Sequence, residues 1–89
     1  MNLDELRAEI DKIDDSIALL YSQRMEVVEQ VAEYKRKNAV AVTHSDRESA
    51  ILARVTENGK RKYAPQLRAL FEKIMEISRE YQKNTVGRD

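Results

Sequence analysis

The sequence contains no cysteine, only two glycines and one proline, and a single histidine, His44. A chain without cysteine forms no disulfide framework, no thiolate nucleophile and no cysteine-ligated metal site, and one histidine does not make a histidine cluster. These absences argue against hydrolase triads and zinc chemistry, so we expect no metal site.

Charge of one sign is not in excess either, because sixteen lysines and arginines balance sixteen aspartates and glutamates. Binding to nucleic acid depends on a basic excess, so we expect no nucleic-acid partner. No apolar run approaches the ~18 residues that a membrane span needs, and no apolar stretch follows the N-terminus. We therefore expect a cytoplasmic protein with no membrane partner.

The first part of the chain has the pattern of one long helix. No glycine or proline precedes Gly59, and Asn2 can cap a helix that has acidic residues in its first turn and basic residues in its last. Apolar residues follow the three-four spacing of a heptad seam, which predicts a helix over about 3–37. The residues of this seam are Leu3, Leu6, Ile10, Ile13, Ile17, Leu20, Val27, Val31 and Tyr34.

Such a helix is too long for one small chain to cover. About 35 residues at ~1.5 Å each form a rod of about 52 Å, whereas a compact chain of this length has a radius of gyration near ~12 Å. Since only two shorter helices remain, a second copy must bury much of the seam, most simply across a two-fold axis. We expect an all-α fold, a three-helix protomer with one long N-terminal helix, assembled as a homodimer.

The second helix is predicted over about 46–58. Ser45 and Glu48 have the spacing of a capping box, in which Ser45 caps the helix and Glu48 reaches back to it. Gly59 follows an asparagine and can end the helix in a left-handed conformation.

The third helix is predicted over about 65–83, because Pro65 suits a first helical position and apolar residues follow at helical spacing. The tail 84–89 is expected to fray. We expect residues 1–89 to form a single helical domain.

Some basic residues do not fit a purely structural interpretation. Arg24 occupies a position of the first helix's apolar seam, where it either snorkels, forms a structural ion pair or binds an anion. Lys35 lies on the same helical face, about 16 Å away. Arg7 lies about 25 Å from Arg24 and either pairs with Asp11 or, in an antiparallel dimer, reaches the partner's site.

The other two helices carry further polar residues of this kind. Arg47 and Glu48 are consistent with a surface residue and a cap, or with a binding role. Ser78 and Gln82 stand one turn apart at the border of the third helix's apolar stripe, where they form either a rim or a donor set for a pocket. His44 fits an exposed or locally bonded imidazole.

Taken in order, these residues resemble the all-helical chorismate mutases, the AroQ class. The resemblance covers about residues 3–83 and rests on Leu6-Arg7-xx-Ile10-Asp11-xx-Asp14, Arg24, Lys35, Asp46-Arg47-Glu48 and Ser78-xxx-Gln82. It implies an intertwined homodimer of three-helix protomers. It also implies the [3,3]-sigmatropic rearrangement of chorismate to prephenate in phenylalanine and tyrosine biosynthesis, which is an isomerase reaction that uses no cofactor.

The resemblance further implies roles for individual side chains in binding and catalysis. Arg24, with Arg7 of the partner subunit, is expected to hold the two substrate carboxylates, because a guanidinium meets a carboxylate through two parallel hydrogen bonds. Lys35 and Gln82 are expected to donate to the ether oxygen of the substrate. In the same way Glu48 accepts from the ring hydroxyl, Arg47 supports the carboxylate region and Ser78 contacts the remaining carboxylate.

His44 departs from the family pattern, because several relatives carry an acidic residue at this position. Two other functions stay open. An isochorismate pyruvate lyase of the same fold would use a similar cationic pocket, although Arg47 and Glu48 together favour the mutase. The second open function is a non-catalytic helical dimerisation module, although such a protein would be more stable with an aliphatic residue at the position of Arg24.

Overall fold

The structure is a computed structural model that describes residues 2–87. This part of the chain forms three α-helices and no strand, which confirms the predicted all-α class with one long N-terminal helix. The helices are α1 (Leu3–Asn38), α2 (Ser45–Asn58) and α3 (Ala64–Val86), and a short 3₁₀ helix (Arg61–Tyr63) precedes α3.

Both ends of α1 have capping groups. At the start, Asn2 Oδ1 accepts a hydrogen bond of 2.9 Å from the backbone N–H of Glu5, as its position predicts. At the end, Ala39 adopts a left-handed conformation with φ of 54°, and its N–H donates to the carbonyl of Lys35. This conformation satisfies a terminal carbonyl and turns the chain into the connector that leads to α2.

The capping box predicted at the start of α2 is wrong. His44 is the N-cap residue and makes no capping hydrogen bond through its side chain, while Ser45 is already helical. Glu48 does not reach back to the helix start but pairs with Arg79 of α3. A charge-assisted hydrogen bond to a guanidinium is stronger than one to a neutral backbone N–H, so the tertiary pair prevails over the local motif.

The predicted left-handed conformation of Gly59 is also wrong. Gly59 ends α2 in an extended conformation with φ of −81°, and its N–H donates to the carbonyl of Val55. A Cβ atom at this position would lie 2.1 Å from Cδ1 of Leu67 in α3. Glycine is therefore needed here because α3 approaches the backbone closely.

Helix α3 is longer than predicted. Pro65 lies in its first turn, as expected, but the helix continues to Val86, so the predicted fraying is wrong for residues 84–86. Gly87 ends the helix with a φ of 77° and donates its N–H to the carbonyl of Lys83. Residues 88 and 89 of the predicted frayed tail lie outside the described residues.

Helix α3 forms the centre of the protomer, because it packs against both α1 and α2. The buried apolar residues come from all three helices and the connector between α1 and α2: Val28, Ala32, Val42, Ile51 and Met75. Tyr81 of α3 also donates its hydroxyl hydrogen to Glu29 of α1 at 2.7 Å. These contacts cover only the C-terminal half of α1.

The N-terminal half of α1 extends beyond the other helices. The protomer measures 54 × 23 × 15 Å and has a radius of gyration of 16.0 Å, against about 12 Å for a compact chain of this length. The residues of the apolar seam are exposed along the whole of α1, from 39% for Val31 to 63% for Tyr34. None of the helices in residues 2–87 has the length and hydropathy needed to cross a membrane.

Candidate active site

A cavity of about 260 Å³ lies where the C-terminal half of α1 meets α2, α3 and the connector. Apolar side chains from all these segments form part of its wall, including Val28, Val42, Ile51 and Met75. Six of the seven residues predicted to bind substrate also line it: Arg24, Lys35, Arg47, Glu48, Ser78 and Gln82. The helices therefore bring together side chains that are up to 58 positions apart in the sequence.

Arg24 lines this cavity and carries one donor atom without a partner. Its side chain is partly buried, and the Nη1 atom is buried without a hydrogen-bond partner among residues 2–87. Burial lowers the pKa of Arg24, the nearby positive charges of Arg47 and Arg54 add to this lowering, and Tyr21 opposes it. A buried donor without a partner is unfavourable until an acceptor meets it, so this position is suited to binding an anion.

The structural ion pair considered for Arg24 is not found among the described residues. The cation on the apolar seam therefore has no carboxylate neighbour at salt-bridge distance within residues 2–87 to compensate its partial burial. An external anion would supply that compensation.

Lys35, Gln82 and Ser78 form a continuous chain of hydrogen bonds. Lys35 Nζ donates to Gln82 Oε1 at 2.8 Å and to the carbonyl of Val42 at 2.9 Å. Gln82 Nε2 in turn donates to Ser78 Oγ at 3.0 Å. Because the ammonium group only donates, it sets the orientation of the Gln82 amide.

The environment of these groups is largely desolvated. Ser78 and Gln82 are buried polar residues, each 7% exposed, on the face of α3 that meets α1. Burial lowers the pKa of Lys35, and the negative charge of Glu48 partly opposes this effect. Lys35 is thus held by fixed acceptors in a site where its charge is incompletely hydrated.

Arg79 is a cavity residue that the sequence analysis missed. Its Nη1 donates to Glu48 Oε1 at 2.5 Å, which joins α3 to the first turn of α2. A helical signal was present, because Met75, Ser78, Arg79 and Gln82 follow the i, i+3, i+4, i+7 spacing of one face. All four of these residues line the cavity.

The cavity lining is strongly positive although the whole chain is neutral. Among residues 2–87, Arg24, Lys35, Arg47 and Arg79 contribute four cations to the lining and Glu48 contributes one carboxylate, which leaves a formal charge of +3. Such a concave, partly apolar and cationic site favours a small ligand with more than one negative charge.

Two predicted features lie at or beyond the edge of this site. His44 lines the cavity, and its Nε2 lies 2.7 Å from the carbonyl of Ala41, within hydrogen-bond distance. Arg7 is exposed on the projecting half of α1 and does not line the cavity of its own chain. Within residues 2–87, no group of three or more histidine, aspartate or glutamate side chains is placed to hold a metal ion.

Comparison with known protein families matches residues 6–83 to the family described as chorismate mutase type II. Neither the curated proteins nor the solved structures contain a significant match to the chain. The matched segment includes every residue that lines the cavity. Because the match covers most of its length, the chain belongs to the chorismate mutase type II family.

Proposed function

We propose that the protein is an active chorismate mutase, which converts chorismate into prephenate. The observation that carries this proposal is the hydrogen bond between Lys35 and Gln82, the two expected donors to the ether oxygen, beside the unpaired Arg24 in one cationic cavity. Membership of the family supports the same substrate.

The reaction requires only that the protein position the substrate and stabilise the charge that develops on it. In the [3,3] rearrangement the ether C–O bond breaks while a C–C bond forms, and the electrons shift around a six-membered ring with no external nucleophile or proton transfer. The protein must hold a flexible dianion in a chair-like geometry and stabilise the negative charge that grows on the ether oxygen. An acceleration of ~10⁶ corresponds to about 8 kcal/mol, which a few preorganised charged donors can supply.

Lys35 and Gln82 are the donors that we assign to the ether oxygen. Lys35 Nζ is already anchored by Val42 and Gln82, so little reorganisation is needed to reach an oxygen placed beside it. Gln82 presents Oε1 to Lys35, so its amide must turn for Nε2 to donate to the substrate. That turn breaks the bond to Ser78 and moves Oε1 away from Lys35. Both donors then bind the developing negative charge, where a charge-assisted hydrogen bond stabilises more.

The remaining groups bind the rest of the substrate. The guanidinium of Arg24 is assigned to one carboxylate, with Arg47 nearby to support this region. Ser78 Oγ donates to the other carboxylate once Gln82 has turned. Glu48 accepts a hydrogen bond from the ring hydroxyl.

A homodimer is part of the proposal, because the exposed seam of α1 needs a cover. Six seam residues from Leu3 to Leu20 are 43% to 62% exposed in the single protomer. An apolar row of this length on a protruding helix is typical of a surface that another copy buries. In an antiparallel crossing of two α1 helices, Arg7 of the partner subunit enters the cavity and binds the second carboxylate.

A role in phenylalanine and tyrosine biosynthesis follows from prephenate as the product, and a cytoplasmic location stays a prediction. The purified protein should consume chorismate and yield prephenate. Formation of pyruvate and salicylate from isochorismate would identify a lyase instead. A folded protein that changes neither substrate would support a non-catalytic module.

A further inference from the structure

Arg79 of α3 and Glu48 of α2 both line the cavity and form an ion pair with each other. The two residues are 31 positions apart, and their side chains are 29% and 25% exposed. The pair is thus partly shielded from solvent, in contrast to the other ion pairs among residues 2–87, whose side chains are 44% to 65% exposed. Partial burial makes the loss of one partner more harmful than at an exposed pair.

The ion pair gives the two oxygens of the Glu48 carboxylate different environments. Oε1 accepts from Arg79, while Oε2 accepts no hydrogen bond from residues 2–87. One oxygen is therefore fixed and the other is left to accept from a ligand. A carboxylate held by a single anchored guanidinium has fewer orientations to lose when a ligand binds.

The charge balance gives Arg79 a second effect. Within the part of the chain that the structure describes, Glu48 is the one carboxylate of the cavity lining, in a site suited to an anionic ligand. Without Arg79, this carboxylate would repel such a ligand and would turn toward other nearby cations, of which Lys35 already feels its charge. Lys35 would then be drawn away from its bonds to Val42 and Gln82.

We propose that Arg79 is a positioning residue that acts through Glu48. It holds Oε1 so that Oε2 accepts the hydrogen bond of the substrate's ring hydroxyl, and it neutralises the carboxylate before the dianion enters. This inference rests on the proposed function and assigns Arg79 no contact with the substrate. It defines the ligand class as a dianion that also carries a hydroxyl group.

A double-mutant cycle with chorismate tests this role. The set consists of the wild type, Arg79→Gln, Glu48→Gln and the double variant, with Arg79→Lys added to test conservative rescue. Arg68→Gln is the matched control, because it removes an exposed Arg–Glu pair of the same helix, Arg68 with Glu72. For every variant, kcat, KM and the midpoint of thermal unfolding are measured.

We expect Arg79→Gln to lower kcat/KM by at least about tenfold, which is the loss of one hydrogen bond to a charged group. Part of this loss should appear as a higher KM, because an unpaired carboxylate repels the dianion. In the Glu48→Gln background, the same substitution should change kcat/KM by less than about threefold, because the neutral amide needs no counter-charge. Arg79→Lys should recover part of the loss, and Arg68→Gln should match the wild type.

Other outcomes overturn the inference. An equal loss in both Glu48 backgrounds means that Arg79 contacts the substrate directly, and an unchanged kcat/KM in Arg79→Gln means that the pair is only a structural link. If Arg79→Gln does not fold, the cycle of Arg79→Lys with Glu48→Gln decides by the same comparison of backgrounds. A wild type without turnover overturns the proposed function as well, whereas turnover that is insensitive to Arg79 overturns this inference alone.

Discussion

Lys35 of α1 donates a hydrogen bond of 2.8 Å to Gln82 of α3, across 47 positions of the sequence. This contact places the ammonium group and the amide side by side at the cavity. Because the same ammonium also donates to the carbonyl of Val42, the connector between α1 and α2 is tied to the site. The fold thus anchors Lys35 before any ligand is present, as electrostatic catalysis requires, whereas Gln82 must turn its amide before Nε2 can donate to a ligand.

The first prediction concerns Lys35→Ala. We expect it to lower kcat by at least about 10²-fold, because it removes a preorganised donor to the ether oxygen. The helical circular dichroism should be retained, since Lys35 contributes little apolar packing. Lys37→Ala is the control, because Lys37 is a cation of the same helical turn whose side chain is 65% exposed. Full turnover by Lys35→Ala would contradict the assigned role.

Arg24 gives a prediction in which activity and stability change in opposite directions. Arg24→Met removes a buried donor that has no partner within residues 2–87 and replaces it with an apolar chain of similar length. We expect turnover of chorismate to be almost lost, while the midpoint of thermal unfolding stays equal or rises. Both are measured on the same preparation, by product assay and by circular dichroism.

The matched control for Arg24→Met is Arg68→Met, on the exposed surface of α3. A midpoint for Arg24→Met clearly below that of the control would mean that Arg24 stabilises the protein. That result would favour the structural interpretation of the seam arginine over anion binding.

The pH dependence of the reaction should report on Lys35. Burial lowers the pKa of Lys35 below its usual 10.5, so the free enzyme loses this proton at lower pH than an exposed lysine. We therefore expect kcat/KM, which reflects the free enzyme, to fall on the alkaline side with a midpoint below 10.5. The residual activity of Lys35→Arg should lack this alkaline fall, since a guanidinium stays protonated.

The same shift has a defined sign for stability. At pH values near the lowered pKa, the unfolded chain binds more protons at Lys35 than the folded chain does. The contribution of Lys35 therefore increases the free energy of unfolding as pH rises through this range toward the ordinary lysine pKa. A Lys35→Met variant should lack this contribution in denaturant unfolding measured at several alkaline pH values. If the difference in free energy of unfolding between the wild type and Lys35→Met does not change with pH, the lowered pKa of Lys35 is contradicted.

Periodicity explains how much of this molecule could be predicted from its sequence. The apolar spacing along α1 and α3 is enough to predict these helices, but it does not identify the face of α1 that the protomer buries. Val28 and Ala32, which are buried, lie outside the predicted seam, whose residues are exposed. The Ser45–Glu48 spacing predicts a capping box that does not form, because a capping box is a purely local pattern. Nothing near Glu48 in the sequence indicates that its carboxylate binds Arg79, 31 positions later. The need for glycine at position 59 is not visible locally either, since it comes from the close approach of Leu67 in α3.

Arg7 cannot be placed at the cavity by any single chain, because α1 is a rigid rod between it and Arg24. The last prediction therefore concerns how the two residues are shared between subunits. Arg7→Ala and Arg24→Ala should each be nearly inactive. If Arg7 acts in the partner's site, a mixed dimer of the two variants contains one site with both arginines and one site with neither. Equal mixing forms about half mixed dimers, so the expected recovery is about one quarter of wild-type activity.

The experiment unfolds the two variants together and refolds them, with each variant refolded alone as the control. Differently tagged chains and co-purification measure the fraction of mixed dimers, so recovery can be compared with the number of mixed sites. If Arg7 acted within its own chain, every site of a mixed dimer would lack one arginine and no activity would return. Proven mixing without recovery would therefore exclude delivery of Arg7 from the partner, and a monomeric wild type in sedimentation would exclude the dimer itself.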